Sequence, residues 1–261
     1  MNRLAVALRQ RARQAQRVAL TSLELLALAT WPSCYRGTVR DEVARQLWRN
    51  TWPQLPGFAG LAALLGVVLI HIVLVTADSY GLSRYALEVV VRVLALELLP
   101  LLAALFVALR CSLPMVAELM AAQVATAEGS APDPATDPAQ ARLRWLVDAV
   151  FPRTLAVVFT VWLLVAVSAL LALVLAYLMV HGWSVWGAVP FAHMVGRVFT
   201  PGVVVVFLLK TLAFSVAVGV VPMANVAATQ ASRASTELAG LARLTGVLLV
   251  CEVLSLLAHY D

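Results

Sequence analysis

Four ionisable residues stand where charge is expensive. Glu88, Arg92 and Glu97 fall within the apolar run 85–109, and Lys210, the chain's one lysine, lies near the middle of the run 202–221. A charge at mid-bilayer costs roughly 2.5–3.5 kcal/mol on insertion scales, so such residues mark pathways, pairs or ligand contacts. Glu88 and Arg92 are spaced i,i+4 with the acid first. On an α-helix they share a face and can neutralise each other, as a structural pair or as a ligand contact. Glu97 follows Arg92 by five residues and faces elsewhere on an α-helix, so it needs another partner: Lys210, a neighbouring subunit, water or a polar head group. Pro100 removes one backbone hydrogen bond, frees the carbonyl near position 96 and kinks the helix. A charged, proline-broken helix suits a cavity wall better than a lipid-facing position.

No other chemistry is written into the chain. It contains no GxxxxGK[ST] to cradle a nucleotide phosphate, no HExxH and no GxSxG. His71, His181, His193 and His259 are scattered over different segments, and Cys34, Cys111 and Cys251 form no CxxC. An odd, widely spaced cysteine set argues against both a disulfide framework and a zinc site. We therefore expect no catalytic residue, no metal and no cofactor.

The elements that must hold these charges are membrane helices. Of 261 residues 62% are hydrophobic and 13% charged, with mean hydropathy +0.90, against about 45–50% and about 25% in soluble domains. That excludes an ordinary soluble enzyme, a disordered chain and a disulfide-stapled module. The apolar runs are continuous rather than alternating, which disfavours a β-barrel. The expected fold is all-α: a polytopic membrane protein with an N-terminal interfacial helix and five transmembrane helices.

Residues 1–53 read as cytoplasmic and interfacial amphipathic helices, one ending near Trp31-Pro32 and one over 39–53. Packing of the first on the protein itself is the alternative. Residues 54–261 form the transmembrane domain, with spans at 55–76, 85–109, 155–180, 202–221 and about 241–258. The last is the weakest, with Arg243 near its start and Glu252 within. Between the second and third spans lies a polar stretch, about 115–150, whose centre 128–138 holds three prolines and reads as a loop. Trp183, Trp186, Phe191 and Phe199 belong at a membrane–water boundary. Nine of the 19 basic residues precede position 53. With the N-terminus inside, fifteen lie on inside segments and only Arg84 and Arg197 outside. That asymmetry orients the chain with its N-terminus cytoplasmic and its C-terminus periplasmic. The basic excess thus serves a membrane, and no nucleic-acid partner is expected.

In residue order the chain resembles the MlaE (YrbE) family of ABC-transporter permeases, from about Glu42 to His259. The family's Glu-Leu-Gly-Pro, an apolar run and Gly-Arg are matched by Glu97-Leu98-Leu99-Pro100, residues 101–109 and Arg110. Its Ala-Glu-Leu is matched by Ala117-Glu118-Leu119, and its Pro-Arg-x-Leu-Ala by Pro152-Arg153-Thr154-Leu155-Ala156. Its Lys-Ser-x-x-Phe-Gly resembles Lys210-Thr211-Leu212-Ala213-Phe214-Ser215. The resemblance implies a permease subunit moving phospholipid or a related lipid between the inner membrane and the periplasm or outer membrane. It implies a homodimer with a separate ABC ATPase below and a periplasmic MCE-domain protein above. Spans one, two and five would hold lipid tails, and Arg92, Glu97 or Lys210 would steer head groups. Arg110, Glu118, Leu119 and Gln123 would belong to the ATPase-coupling region. The family's Glu-Gln-Ile-Asp-Ala-Leu coupling stretch is missing from 120–134, where the chain runs Met120 to Pro134 with a different sequence. That departure leaves a second reading: a degenerate permease homologue acting as a non-transporting membrane scaffold for an envelope complex.

The orientation is testable by thiol labelling in a background free of the three native cysteines. Ala135→Cys should stay protected from an impermeant reagent in intact cells, while Asp261→Cys labels. Outside labelling of Ala135→Cys would overturn the orientation.

Overall fold

A computed structural model of the chain describes Gln16 and residues 18–28, 37–81, 83–129, 138–228 and 233–260. Among the described residues the regular structure is helical, with no strand. The helices are α1 (Val18–Leu28), then α2 (Gly37–Thr51), α3 (Leu55–Ser79), α4 (Ser83–Val91), α5 (Leu99–Val107), α6 (Leu113–Gly129), α7 (Pro138–Trp145), α8 (Phe151–His181), α9 (Ala188–Val198), α10 (Pro201–Ala228) and α11 (Arg233–Tyr260). Three π-helical segments, Arg92–Leu98, Ala108–Ser112 and Leu146–Val150, join α4 to α5, α5 to α6 and α7 to α8.

Four helical stretches among the described residues are long and apolar enough to cross a membrane: Leu55–Ser79, Leu87–Ala122, Arg142–His181 and Pro201–Val226. The protein is a multi-pass membrane protein. The second and third stretches run well beyond the 85–109 and 155–180 expected from the sequence. Polar residues on helix ends hide the continuation, because hydropathy marks only the apolar part of a helix. Most of the 115–150 segment is accordingly helical, and residues 130–137 lie outside the described ones. The expected fifth span falls in α11, which is helical but not among the four. At the N-terminus, Val18–Leu28 is apolar and helical but shorter than a span; residues 1–15 and 29–36 lie outside the described ones.

Each π segment ends two residues before a proline: Pro100, Pro114 and Pro152. The residue between them closes the wide turn. Leu99 N–H bonds to Leu94 O, Leu113 N–H to Ala108 O and Phe151 N–H to Leu146 O, each five residues back. Proline has no N–H to give and its ring crowds the carbonyl four residues earlier. One extra residue in the preceding turn relieves that crowding without breaking the helix. Pro152 therefore lies inside a helix rather than opening one. Pro222, inside α10, is accommodated without such a segment.

The chain divides into two compact units. One gathers residues 1–50, 107–159 and 216–247; the other gathers 51–106, 160–215 and 248–261. In the first, Arg49 of α2 pairs with Glu118 of α6 at 2.9 Å and Arg142 of α7 with Glu24 of α1 at 3.1 Å. Buried Ser112 donates to the Val218 carbonyl at 3.0 Å, and Arg243 of α11 donates to Asn225 of α10 at 2.9 Å. Gly219 is the tightest helix crossing here: a Cβ on it would lie 2.9 Å from Val158 Cγ2 and 3.1 Å from the Thr154 carbonyl oxygen.

In the second unit, Phe58 of α3 meets Phe106 of α5 with ring centroids 5.2 Å apart. Thr51 and Thr160 share a buried hydroxyl hydrogen bond of 2.9 Å. Two glycines in the left-handed region turn the chain: Gly81 (φ 68°) after α3 and Gly182 (φ 59°) after α8. Beyond Gly182, Trp183 and Trp186 are exposed, while Phe191 of α9 packs edge-on to Tyr177 at 5.2 Å.

The crossing at Gly219 makes a stability prediction. Gly219→Ala should destabilise the protein by about 1–3 kcal/mol through overpacking against backbone. Gly60→Ala, whose Cβ meets nothing within 4 Å, should leave stability unchanged or raise it by up to about 1 kcal/mol. Thermal unfolding of the two purified variants in detergent measures the contrast.

Candidate functional site

The second unit holds a buried charged group. Lys210 projects from the apolar helix α10, and its side chain is only 2% exposed. Its ammonium donates to the Glu97 carboxylate and, at 2.9 Å, to Glu252 Oε1. One turn further along α10, the Phe214 ring centroid lies 5.6 Å from the nitrogen and adds a cation–π contact. Glu97 comes from the π segment before Pro100 and Glu252 from α11, so three elements converge on one nitrogen.

The π segment before Pro100 sets the spacing along which Glu97 is presented. In an α-helix, residues five apart face well away from each other; in a π turn, they follow one another about one turn along the helix. The segment Arg92–Leu98 is π-helical. The α-helical spacing that set Glu97 off the Arg92 face therefore does not hold within this segment. An inserted residue also turns everything beyond it relative to what comes before, and Glu97 sits within that turn.

A small cleft opens beside the group, lined by Leu96, Val203, Val206, Phe207 and Ser255 together with Glu97 and Lys210. Its walls are apolar apart from these last three residues. Ser255 Oγ, in its wall, is buried without a hydrogen-bond partner, as are Thr211 Oγ1 of α10 and Glu252 Oε2 of α11. One ammonium thus serves two acids. Among the described residues, no three His, Cys, Asp or Glu side chains gather in a way that could hold a metal ion.

Of the residues singled out from the sequence, Glu97 and Lys210 meet here. Arg92 and Glu88 are half-buried on the same helical stretch as Glu97, and Pro100 is buried at its end. Arg110 is exposed in the second π segment, and Glu118 is exposed and paired with Arg49. Leu119 is 2% exposed and belongs to the core of the first unit. Gln123 lies in α6, and its side chain is outside the described ones. Glu252 is the residue that sequence reasoning left without a role. Its signal was present: an acid inside an apolar helix carries the same cost as Glu97 and needs the same kind of partner.

A family model described as Permease MlaE matches residues 43–257, a range that includes Glu97, Lys210 and Glu252. A search of curated proteins finds no match to the chain.

The geometry ranks substitutions within the group. Lys210→Met leaves two part-buried carboxylates without their shared ammonium and should cost up to about 3–5 kcal/mol. Glu97→Gln or Glu252→Gln alone should cost less, since Lys210 keeps one carboxylate. Combining the two should again cost as much as Lys210→Met, and adding Lys210→Met to that pair should recover part of the loss. Thermal unfolding of the series in detergent reads the non-additivity; strictly additive losses would show that the three side chains act independently.

Proposed function

Because the chain belongs to the MlaE permease family, and is thus the membrane subunit of an ABC-type transporter that works with partner subunits, we propose that it moves phospholipid or a related lipid between the inner membrane and the periplasm or outer membrane. The observation that carries this reading is the family match over residues 43–257, laid on four long apolar helices. The subunit has no chemistry of its own to perform. Its work is mechanical: a separate ABC ATPase hydrolyses ATP, and the permease converts closure of that partner into helix movement.

In this reading two copies form the lipid-holding cavity, with their N-termini in the cytoplasm and a periplasmic MCE-domain protein above. Apolar side chains of the spans hold the lipid tails. Arg92, Glu97 or Lys210 would steer head groups. The ATPase docks on the cytoplasmic segment that includes Arg110, Glu118, Leu119 and Gln123. The exposed Arg49–Glu118 pair ties α2 to α6 next to that segment. An exposed pair contributes only about 0–1 kcal/mol.

A degenerate, non-transporting scaffold is the second reading, favoured by the absent Glu-Gln-Ile-Asp-Ala-Leu stretch. The two separate in a purification from native membranes. A transporter subunit should bring down an ABC ATPase and an MCE-domain protein, with phospholipid at stoichiometric amounts by mass spectrometry. In reconstituted vesicles, ATP should drive movement of labelled phospholipid. A complex without ATPase, and no ATP-dependent lipid movement, would favour the scaffold. Deleting residues 127–140 should release the ATPase while the helices stay folded by circular dichroism. Undiminished co-purification after that deletion would exclude docking through the deleted part.

A further inference from the structure

The first unit holds a cation whose partner is neutral. Arg243, near the start of the apolar run of α11, donates to Asn225 Oδ1 of α10 at 2.9 Å. Among the described residues no carboxylate pairs with it. A guanidinium in apolar surroundings calls for a counter-charge, and an amide supplies none. Asn225 is itself only 4% exposed. Its bond to Arg243 fixes the amide: the oxygen faces the guanidinium and Nδ2 faces away. That Nδ2 is buried without an acceptor. Arg243 and Asn225 are thus short of the same thing, an oxygen that accepts hydrogen bonds and carries negative charge.

Gly240 leaves a notch through which such an oxygen can come. It precedes Arg243 by three residues, so the two share a face of α11. A Cβ at Gly240 would stand 3.5 Å from Asn225 Nδ2, with no other contact to another described element within 4 Å. That is room for one oxygen atom accepting from Nδ2. Arg243 is half-buried. Asn225 uses one of the five N–H donors of its planar fork, and others remain for a second oxygen. A group with several oxygens on one centre meets both needs, and a single spherical ion does not. The depth narrows the choice. Asn225 lies one residue before the end of the apolar stretch Pro201–Val226, which is head-group level, where basic pockets between helices hold phosphate. Val247, one turn on from Arg243 along the same face, is exposed apolar surface on which an acyl chain can begin.

We propose that Asn225, Gly240 and Arg243 form a binding site for the phosphate group of a phospholipid, between α10 and α11. One phosphate oxygen accepts from Asn225 Nδ2 in the Gly240 notch, and another accepts from the Arg243 guanidinium. A phosphate diester carries one negative charge and Arg243 one positive charge, so the pair is neutral. A head group without an ammonium of its own keeps it so, which makes phosphatidylglycerol the lipid to test. The bound phosphate gives both helices a shared partner and satisfies the buried amide. The site is independent of which lipid, if any, the protein moves.

Native mass spectrometry of the full chain, stripped of lipid in detergent and titrated with short-chain phosphatidylglycerol, tests this. The wild type should hold one phosphatidylglycerol per chain that Gly240→Ala holds about tenfold or more weakly, the loss expected for a hydrogen bond to a charged group. The added methyl fills the notch at ordinary contact distance and favours the helix, so circular dichroism should show the fold intact. Arg243→Gln should lose the same lipid. Gly246→Ala, whose Cβ meets nothing within 4 Å, should bind as the wild type does. Diacylglycerol of the same chain length should not compete for the site, and millimolar inorganic phosphate should not displace the lipid. Equal phosphatidylglycerol binding by the wild type and either folded variant, Gly240→Ala or Arg243→Gln, overturns the proposal. So does competition by diacylglycerol, which would make the phosphate irrelevant, or displacement by inorganic phosphate, which would assign the notch to a free ion. None of these results reads ATPase binding or lipid movement, so a failure here is separate from a failure of the transport reading.

Discussion

Burying Lys210 sets the terms for much of its unit. An ammonium 2% exposed on an apolar helix is tolerable only with carboxylates brought to it, since an unpaired ion in such surroundings would be neutralised or would unfold its site. Two acids from two other elements meet that need. α10, α11 and the Glu97 segment therefore cannot slide or rotate freely past one another: any such movement uncovers the cation or separates it from an acid. Apolar packing alone would not give this specificity. Within a membrane, lipid tails are as apolar as Leu or Val, so helix association depends on close packing and on polar contacts of this kind.

Proline and the π segments supply the geometry that makes the pairing possible. A proline within an α-helix removes a hydrogen bond and crowds the preceding turn. Here three such sites are absorbed by one wide turn each, with the residue before the proline bonding five positions back. The helices continue as long apolar stretches, yet the faces before and after each insertion are turned relative to each other. The first insertion contains Glu97, and the second contains Ser112, whose hydroxyl reaches the Val218 carbonyl of α10. Both are polar contacts in otherwise apolar surroundings, made where the helix departs from α geometry.

The surfaces left over are those of a protein solvated by lipid. Leu64, Leu170, Leu209 and Leu254 are more than half exposed, which in water would be a liability but is expected of helices facing acyl chains. Small or tightly packed positions face inward instead: Ala103, Ala104, Ala156 and Ala224 are fully buried, and Gly219 is in contact with Val158 and the Thr154 carbonyl. The shape of a span's inner face thus comes from small side chains and a few hydrogen bonds, while its outer face needs only to be apolar.

Composition and hydropathy were enough to establish an all-helical membrane protein. They were also enough to locate the apolar centres of four long helices, because a stretch that crosses a bilayer must be continuous and nearly uncharged. The order of short motifs from Glu97 to Ser215 pointed to the permease family, and the misfit of Glu97 and Lys210 with their surroundings marked both as needing partners. What the sequence could not supply was the extent of the second and third helices, whose polar ends carry no hydropathy signal, or the role of Pro100, Pro114 and Pro152. A proline reads as a break, and whether the chain kinks, ends or widens by one residue depends on the packing around it. Nor could the sequence assign Glu252 to Lys210, since the two lie 42 residues apart and nothing local connects them. Their meeting is decided by helix rotation, which the π turn before Pro100 and the packing of α11 fix only in the folded protein.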